Sequence, residues 1–158
     1  MRRGIIGKGK EVDLPPATPP TVAAKSIAFS SVTSSGMKLT WTNGIGGTGR
    51  LVLFSTSSTC DFLEIAGKLG DNDLPNYVSG FPVTSEVSWN NKQGTYTDIS
   101  GDIAYVIGRV TGRSITIADL PSATNYYWFI LEYNDVTGYS TGYCTVAGTL
   151  NPRLKATL

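Results

Sequence analysis

Leu120 stands six residues ahead of Tyr126, with Pro121 and Thr124 between them, and Tyr126 opens the run Tyr-Tyr-Trp-Phe-Ile-Leu-Glu-Tyr that ends at Tyr133. A buried leucine, a tight corner and a tyrosine whose hydroxyl ties that corner down are what a chain needs where it enters a long strand of a two-layer β structure. The aromatic and β-branched residues after the corner have the composition of that strand.

The composition agrees. Eighteen glycines and many Ser, Thr and Tyr favour short strands joined by numerous turns. A length of 158 residues suits one domain with an extra segment and buries a core without needing disulfides. The net charge of +1 creates no field that would concentrate nucleic acid or anionic lipid. No run approaches the roughly 20 apolar residues of a membrane span, and MRRGIIGKGKEVDLPP has no apolar core of signal-peptide length. Neither nucleic acid nor membrane is an expected partner, and the chain does not read as secreted or anchored.

The chain contains no histidine, which removes the usual triad base and the commonest metal ligand. Cys60 and Cys144 have no Cys-X-X-Cys spacing. Their pairing is left open, with two buried thiols the simpler reading. Gly4-Ile-Ile-Gly7-Lys-Gly-Lys10 has the wrong spacing for a phosphate loop and lacks the following Ser or Thr. Gly70-Asp-Asn-Asp73 is followed by Pro75 where a calcium loop needs an acid, so it reads as a surface turn. No catalytic residue, cofactor or metal is assigned, and the chain is expected not to be an enzyme.

Residues 1–24 read as an extended arm, because Pro15, Pro16, Pro19 and Pro20 oppose a helix. Fully extended, the arm reaches roughly 75–85 Å. It is expected to be held by another protein chain. From Lys25 the pattern becomes β: Ile27 and Phe29 mark one strand, Met37, Leu39 and Trp41 a second with one buried face, and Leu51–Phe54 a third. Asn43–Gly49 reads as a flexible turn. A helix is predicted around Phe62–Gly70, then a strand over Ile103–Ile107, one marked by Ile115 and Ile117, one over Tyr126–Tyr133 and a last one over Tyr139–Gly148.

The corner at Leu120–Tyr126, its following strand and Trp41 at the end of the second strand resemble a fibronectin type III module. The ending Tyr-Tyr-Trp-Phe-Ile-Leu-Glu-Tyr-Asn is similar to a long-insert variety found in bacterial surface and phage proteins. The resemblance covers roughly residues 25–55 and 103–148. It implies an all-β, immunoglobulin-like sandwich of seven strands over residues 25–150. A long insertion at about 56–102 follows strand C, and 151–158 form a C-terminal tail.

In that frame the inward residues are Ile27, Phe29, Met37, Leu39, Trp41, Ile115, Ile117, Leu120, Tyr126, Trp128 and Ile130, with Trp41, Leu120, Tyr126 and Trp128 at the structural centre. Glu132 breaks the inward register near the sheet end and is expected to reach water or a backbone donor. The opposite register, Tyr127, Phe129, Leu131 and Tyr133, is also apolar. Either the insertion folds back over it, or it is a subunit interface.

Arg2, Arg3, Lys8 and Lys10 occupy the first ten residues without an acid, whereas the insertion carries seven acids against two lysines, or 2 − 7 = −5. Arg2, Arg3, Ile5, Ile6, Lys8 and Lys10, together with Tyr127, Phe129, Leu131 and Tyr133, are the candidate partner-binding residues. The resemblance and the absent export signal lead to the expectation of a structural protein of a bacteriophage virion, assembled in the host cytoplasm. It would be an auxiliary or decoration protein on the capsid, or a tail component, with the major capsid protein or neighbouring copies as partner. The alternative is an adhesion or carbohydrate-binding module of a bacterial surface protein, with Tyr77, Phe81 and Trp89 stacking on sugars.

Overall fold

The computed structural model describes residues 15, 17–70, 83–136, 139 and 141–158. Among them, strands β1 (Lys25–Ser30), β2 (Met37–Thr42), β7 (Ser114–Ala118) and β4 (Glu86–Ser88) form one sheet in the order β1-β2-β7-β4. The second sheet runs β10 (Arg153–Ala156), β8 (Asn125–Asn134), β3 (Gly49–Ser55), β6 (Ile103–Val110) and β5 (Gln93–Thr97), with β9 (Gly142–Tyr143) also paired to β8. All pairings are antiparallel except β4 with β7. The protein is an immunoglobulin-like β-sandwich of the fibronectin type III type.

The alternating residues of β2 and β7 point one face inward, as the two-residue period of a strand requires. Ile27, Met37, Leu39, Trp41, Ile115, Ile117, Leu120, Tyr126, Trp128 and Ile130 are buried together between the sheets, joined by Val52, Phe54 and Ile107 from the second sheet. Phe29 packs against this core but stays partly exposed. The Tyr126 hydroxyl donates to the Pro121 carbonyl at 3.3 Å and closes the corner over the buried Leu120.

Helix α1 (Phe62–Gly70) follows β3 and lies on the other face of the six-stranded sheet. Its apolar side, Phe62, Ile65, Ala66 and Leu69, is buried with Leu51, Leu53, Phe129, Leu131 and Tyr133. Phe62 stacks on Phe129 with ring centroids 5.0 Å apart. The folded-back insertion is therefore what covers the second apolar face of β8. Phe129, Leu131 and Tyr133 are buried within their own chain, so the expectation that these three bind a partner is corrected, while Tyr127 is half-buried at the margin of the same cluster.

Three further expectations change. The described strands number ten rather than seven, because the insertion adds β4 and β5 and the last strand is split. The strand expected over Tyr139–Gly148 keeps only Gly142–Tyr143, and the supposed tail 151–158 contains β10, which pairs with the start of β8. Between β9 and β10 the chain crosses to the other sheet, where Ser26 and Ile27 donate to the Thr149 and Leu150 carbonyls. Buried Asn151 fills the resulting gap on β8: its Oδ1 accepts from the Ile130 amide, and its Nδ2 donates to the Ile130 and Ala24 carbonyls. Finally, residues 17–24 pack against the sandwich, with Ala17, Pro20, Ala23 and Ala24 buried.

A second crossing closes the opposite side. The Thr84 amide donates to Arg109 of β6 at 3.0 Å, and the next residue, Ser85, accepts from Thr116 of β7 at 2.8 Å. Trp89 then packs on Phe54 and Tyr126, at centroid distances of 4.4 and 5.2 Å. Trp89 is thus half-buried against the core rather than offered to a sugar, while Tyr77 and Phe81 lie outside the described residues.

Because Trp41 is 5% exposed at the core centre, Trp41→Ala is expected to cost about 3–5 kcal/mol. A denaturant melt showing a loss below about 1 kcal/mol would remove Trp41 from the core.

Candidate functional site

The end of the sandwich where β3 begins and β8 finishes carries an unusual set of contacts. Arg50 and Glu132 face each other across β3 and β8 in the inward register, and both are buried. Arg50 Nε donates to both Glu132 carboxylate oxygens at 2.9 Å, and its Nη1 donates to the Thr111 carbonyl at 2.8 Å. The Gly44 amide donates to Glu132 Oε1 at 2.6 Å. The backbone donor expected for Glu132 is there, and water is not its environment. The arginine was missed: Arg50 and Glu132 are 82 residues apart in sequence, and only strand register brings them together.

A buried ion pair is expensive unless further hydrogen bonds satisfy it. Here the extra donor, Gly44, belongs to the loop between β2 and β3, so satisfying the charge also fixes that loop. Residues 17–24 lie across it as a strap. The Ile45 amide donates to the Val22 carbonyl at 3.1 Å, and Asn134 Nδ2 donates to the Thr18 carbonyl at 3.0 Å. The glycines are what let the strap approach. A Cβ on Gly44 would collide with the Val22 carbonyl, one on Gly142 would stand 2.6 Å from the Ala17 carbonyl oxygen, and one on Gly47 2.5 Å from Glu132 Oε2. The Asn43–Gly49 segment, read from sequence as a flexible turn, is a close-packed seat. Gly49 serves the outer face, since its missing Cβ leaves room for the Tyr133 ring, whose hydroxyl accepts from Arg109 Nε at 2.8 Å.

The sequence-predicted residues divide accordingly. Arg2, Arg3, Ile5, Ile6, Lys8 and Lys10 lie outside the described residues, but the strap fixes the point from which they are carried. Trp41, Leu120, Tyr126 and Trp128 are core. The acids of the insertion are largely engaged at the opposite end. Asp98, buried, accepts from the Asp61, Ser100 and Asp102 amides at 2.8–2.9 Å. These donors, the Asp61 amide foremost, hold its carboxyl below the usual carboxylate range. Glu64 accepts from the Ile99 amide and pairs with Lys68 at 2.9 Å. Asp71 and Asp73 lie outside the described residues.

Cys60 and Cys144 are both free. Burial pushes the Cys60 thiol up to about 11 and raises that of Cys144 as well, which disfavours thiolate chemistry at either. Cys60, Phe62, Leu63, Phe129 and Pro152 line an open cleft of about 280 Å³. Among the described residues no group of three or more Cys, Asp or Glu is placed to hold a metal ion.

No family model matches the chain, and no curated protein matches it. Among solved structures it is similar to a fibronectin type III domain of human collagen XX, at 17% identity and a TM-score of 0.38, over 83% of this chain and 97% of that one. It is also similar to a computationally redesigned β-sandwich protein, at 18% identity and a TM-score of 0.33, over 85% of this chain and 99% of that one. The fold assignment rests on the sheet order and core described above.

Two substitutions separate the parts of this end. Glu132→Gln leaves the Arg50 charge buried without its partner and is expected to cost about 3–5 kcal/mol in a denaturant melt, part of which an added Arg50→Met returns. Gly44→Ala is expected to displace the strap alone. Hydrogen exchange should then quicken at the Ile45 amide while β3 and β8 amides keep their protection; unchanged exchange at Ile45 would contradict the seat.

Proposed function

We propose that this chain is a non-enzymatic structural protein of a bacteriophage virion, an auxiliary or decoration protein that attaches to capsid subunits through its N-terminal arm. The observation that carries the reading is the strap. Residues 17–24, with Pro19 and Pro20, are seated in a glycine-lined groove at one end of the sandwich, so the basic stretch before them is presented from one fixed place. With 17–24 held, residues 1–14 have a reach of roughly 45–50 Å. They carry four basic residues and two acids, or 4 − 2 = +2. A compact head that carries a charged segment from a fixed point suits attachment by an arm laid along a neighbour. The resemblance to the long-insert modules of phage proteins and the lack of any histidine favour the same reading. The adhesion or glycan-binding alternative loses Trp89 as a stacking surface, because its ring packs on Phe54.

Particles grown from a genome lacking this chain provide the assay. The purified full chain is expected to bind them and pellet with them. A variant lacking residues 1–14 should fail to pellet while keeping the melting temperature of the full chain. Undiminished binding of the truncated protein would overturn the proposal.

A further inference from the structure

Asn43 is the only asparagine in the chain that glycine follows. Asparagine is thermolabile, and a following glycine has no side chain to shield its nitrogen. In the self-modification of such a pair, the Gly44 nitrogen bonds to the Asn43 side-chain carbonyl carbon. The side-chain nitrogen leaves as ammonia and carries off the proton that the backbone nitrogen gives up. Water then opens the succinimide ring and leaves aspartate or isoaspartate at position 43. The fold holds each reacting group off this path. Asn43 Oδ1 accepts from Trp41 Nε1 at 3.0 Å, so its amide cannot turn freely. The Gly44 amide donates to Glu132 Oε1 at 2.6 Å. That carboxylate is engaged by Arg50 Nε on both oxygens, which makes it a poor base for taking the proton away. The strap closes the remaining side. The Val22 carbonyl lies so close to Gly44 that a Cβ there would stand 1.7 Å from its oxygen, and the same carbonyl accepts from the Ile45 amide at 3.1 Å.

We infer that Asn43 and Gly44 form a self-modification site that the strapped end keeps shut and that opens when residues 17–24 lift. Lifting the strap removes the wall behind Gly44 and the acceptor of Ile45 together. The ion pair then holds Gly44 from one side only, and local opening of the loop lets its nitrogen reach Asn43. The products do not refit the seat. Isoaspartate adds a carbon to the main chain at a place with no room for even a glycine Cβ. Aspartate puts a second carboxylate one residue from the amide that holds Glu132, and like charges at a buried site repel. Release of the strap is thereby made one-way: a copy that has been open long enough stays open. This inference stands on residues 17–50 and 132 and is independent of what the chain attaches to.

Ageing the purified full chain at neutral pH, with mass spectrometry of the peptide that contains residue 43, tests it. Conversion is expected to be at least about tenfold slower in the folded protein than in the same chain unfolded in guanidinium chloride. A variant lacking residues 1–14 keeps the strap and should convert as slowly as the full chain. One lacking residues 1–22 should convert about tenfold faster while still melting cooperatively. Trp41→Phe keeps a ring in the core, removes only the indole N–H, and should raise the rate in the full chain about fivefold. It decides the matter if the shorter truncation product does not fold. Converted molecules, separated by their extra negative charge, should exchange the Ile45 amide faster than unconverted ones. Folded protein that converts as fast as unfolded protein, or faster, overturns the inference, because Gly44 is then free or Glu132 acts as its base. Failure of both variants to speed conversion overturns it too, and a protected Ile45 amide in converted molecules overturns the one-way release.

Discussion

Burial of strand β8 on both faces sets the rest of the structure. One face, Tyr126, Trp128 and Ile130, closes the sandwich, and the other, Phe129, Leu131 and Tyr133, is as apolar. An antiparallel sheet tolerates water on one side only if that side is polar. The chain resolves this with its insertion, whose nine-residue helix lays Phe62, Ile65, Ala66 and Leu69 on the exposed layer. The result is a three-layer body on a two-layer plan. The insertion that would be a loose loop in a smaller module is here part of the core.

The edges obey the same economy of backbone groups. Each side of the six-stranded sheet is shared between a segment that extends it and a segment that crosses to the other sheet. β10 and the 148–151 crossing divide the edge of β8; β5 and residues 83–84 divide the edge of β6. Where the crossing leaves the Ile130 amide and carbonyl unpaired, one buried side-chain amide, Asn151, takes both. Unpaired edge groups invite unwanted pairing with other chains, and these crossings shorten the edges left open.

At the strapped end, chemistry and architecture are the same thing. A carboxylate in the inward register is admitted only because Arg50 and the Gly44 amide complete it, and that amide belongs to the loop on which residues 17–24 rest. The chain of causes runs from a buried charge to a fixed loop, to a fixed strap, to a fixed origin for the basic arm. Glu132 was visible in the sequence as a break in an apolar register. Its partner was not, because nothing local marks Arg50 as anything but a strand residue beside a turn. The glycines of 43–49 mark a turn in the sequence, and in the fold their absent side chains serve close approach rather than freedom.

What the sequence alone determined was whatever local period and composition can encode. The inward faces of β1, β2, β7 and β8 follow from alternation, the helix at 62–70 from its apolar spacing, and the corner from Leu120 and Tyr126. Tertiary structure decided everything that depends on two distant segments meeting. It placed the helix over β8, turned the supposed tail into β10, packed Trp89 against the core and assembled the ion pair beneath the strap. The physical reason is that alternation reports only whether a face is apolar. Whether that face meets a helix of the same chain or another molecule is settled by long-range packing, which no local pattern records.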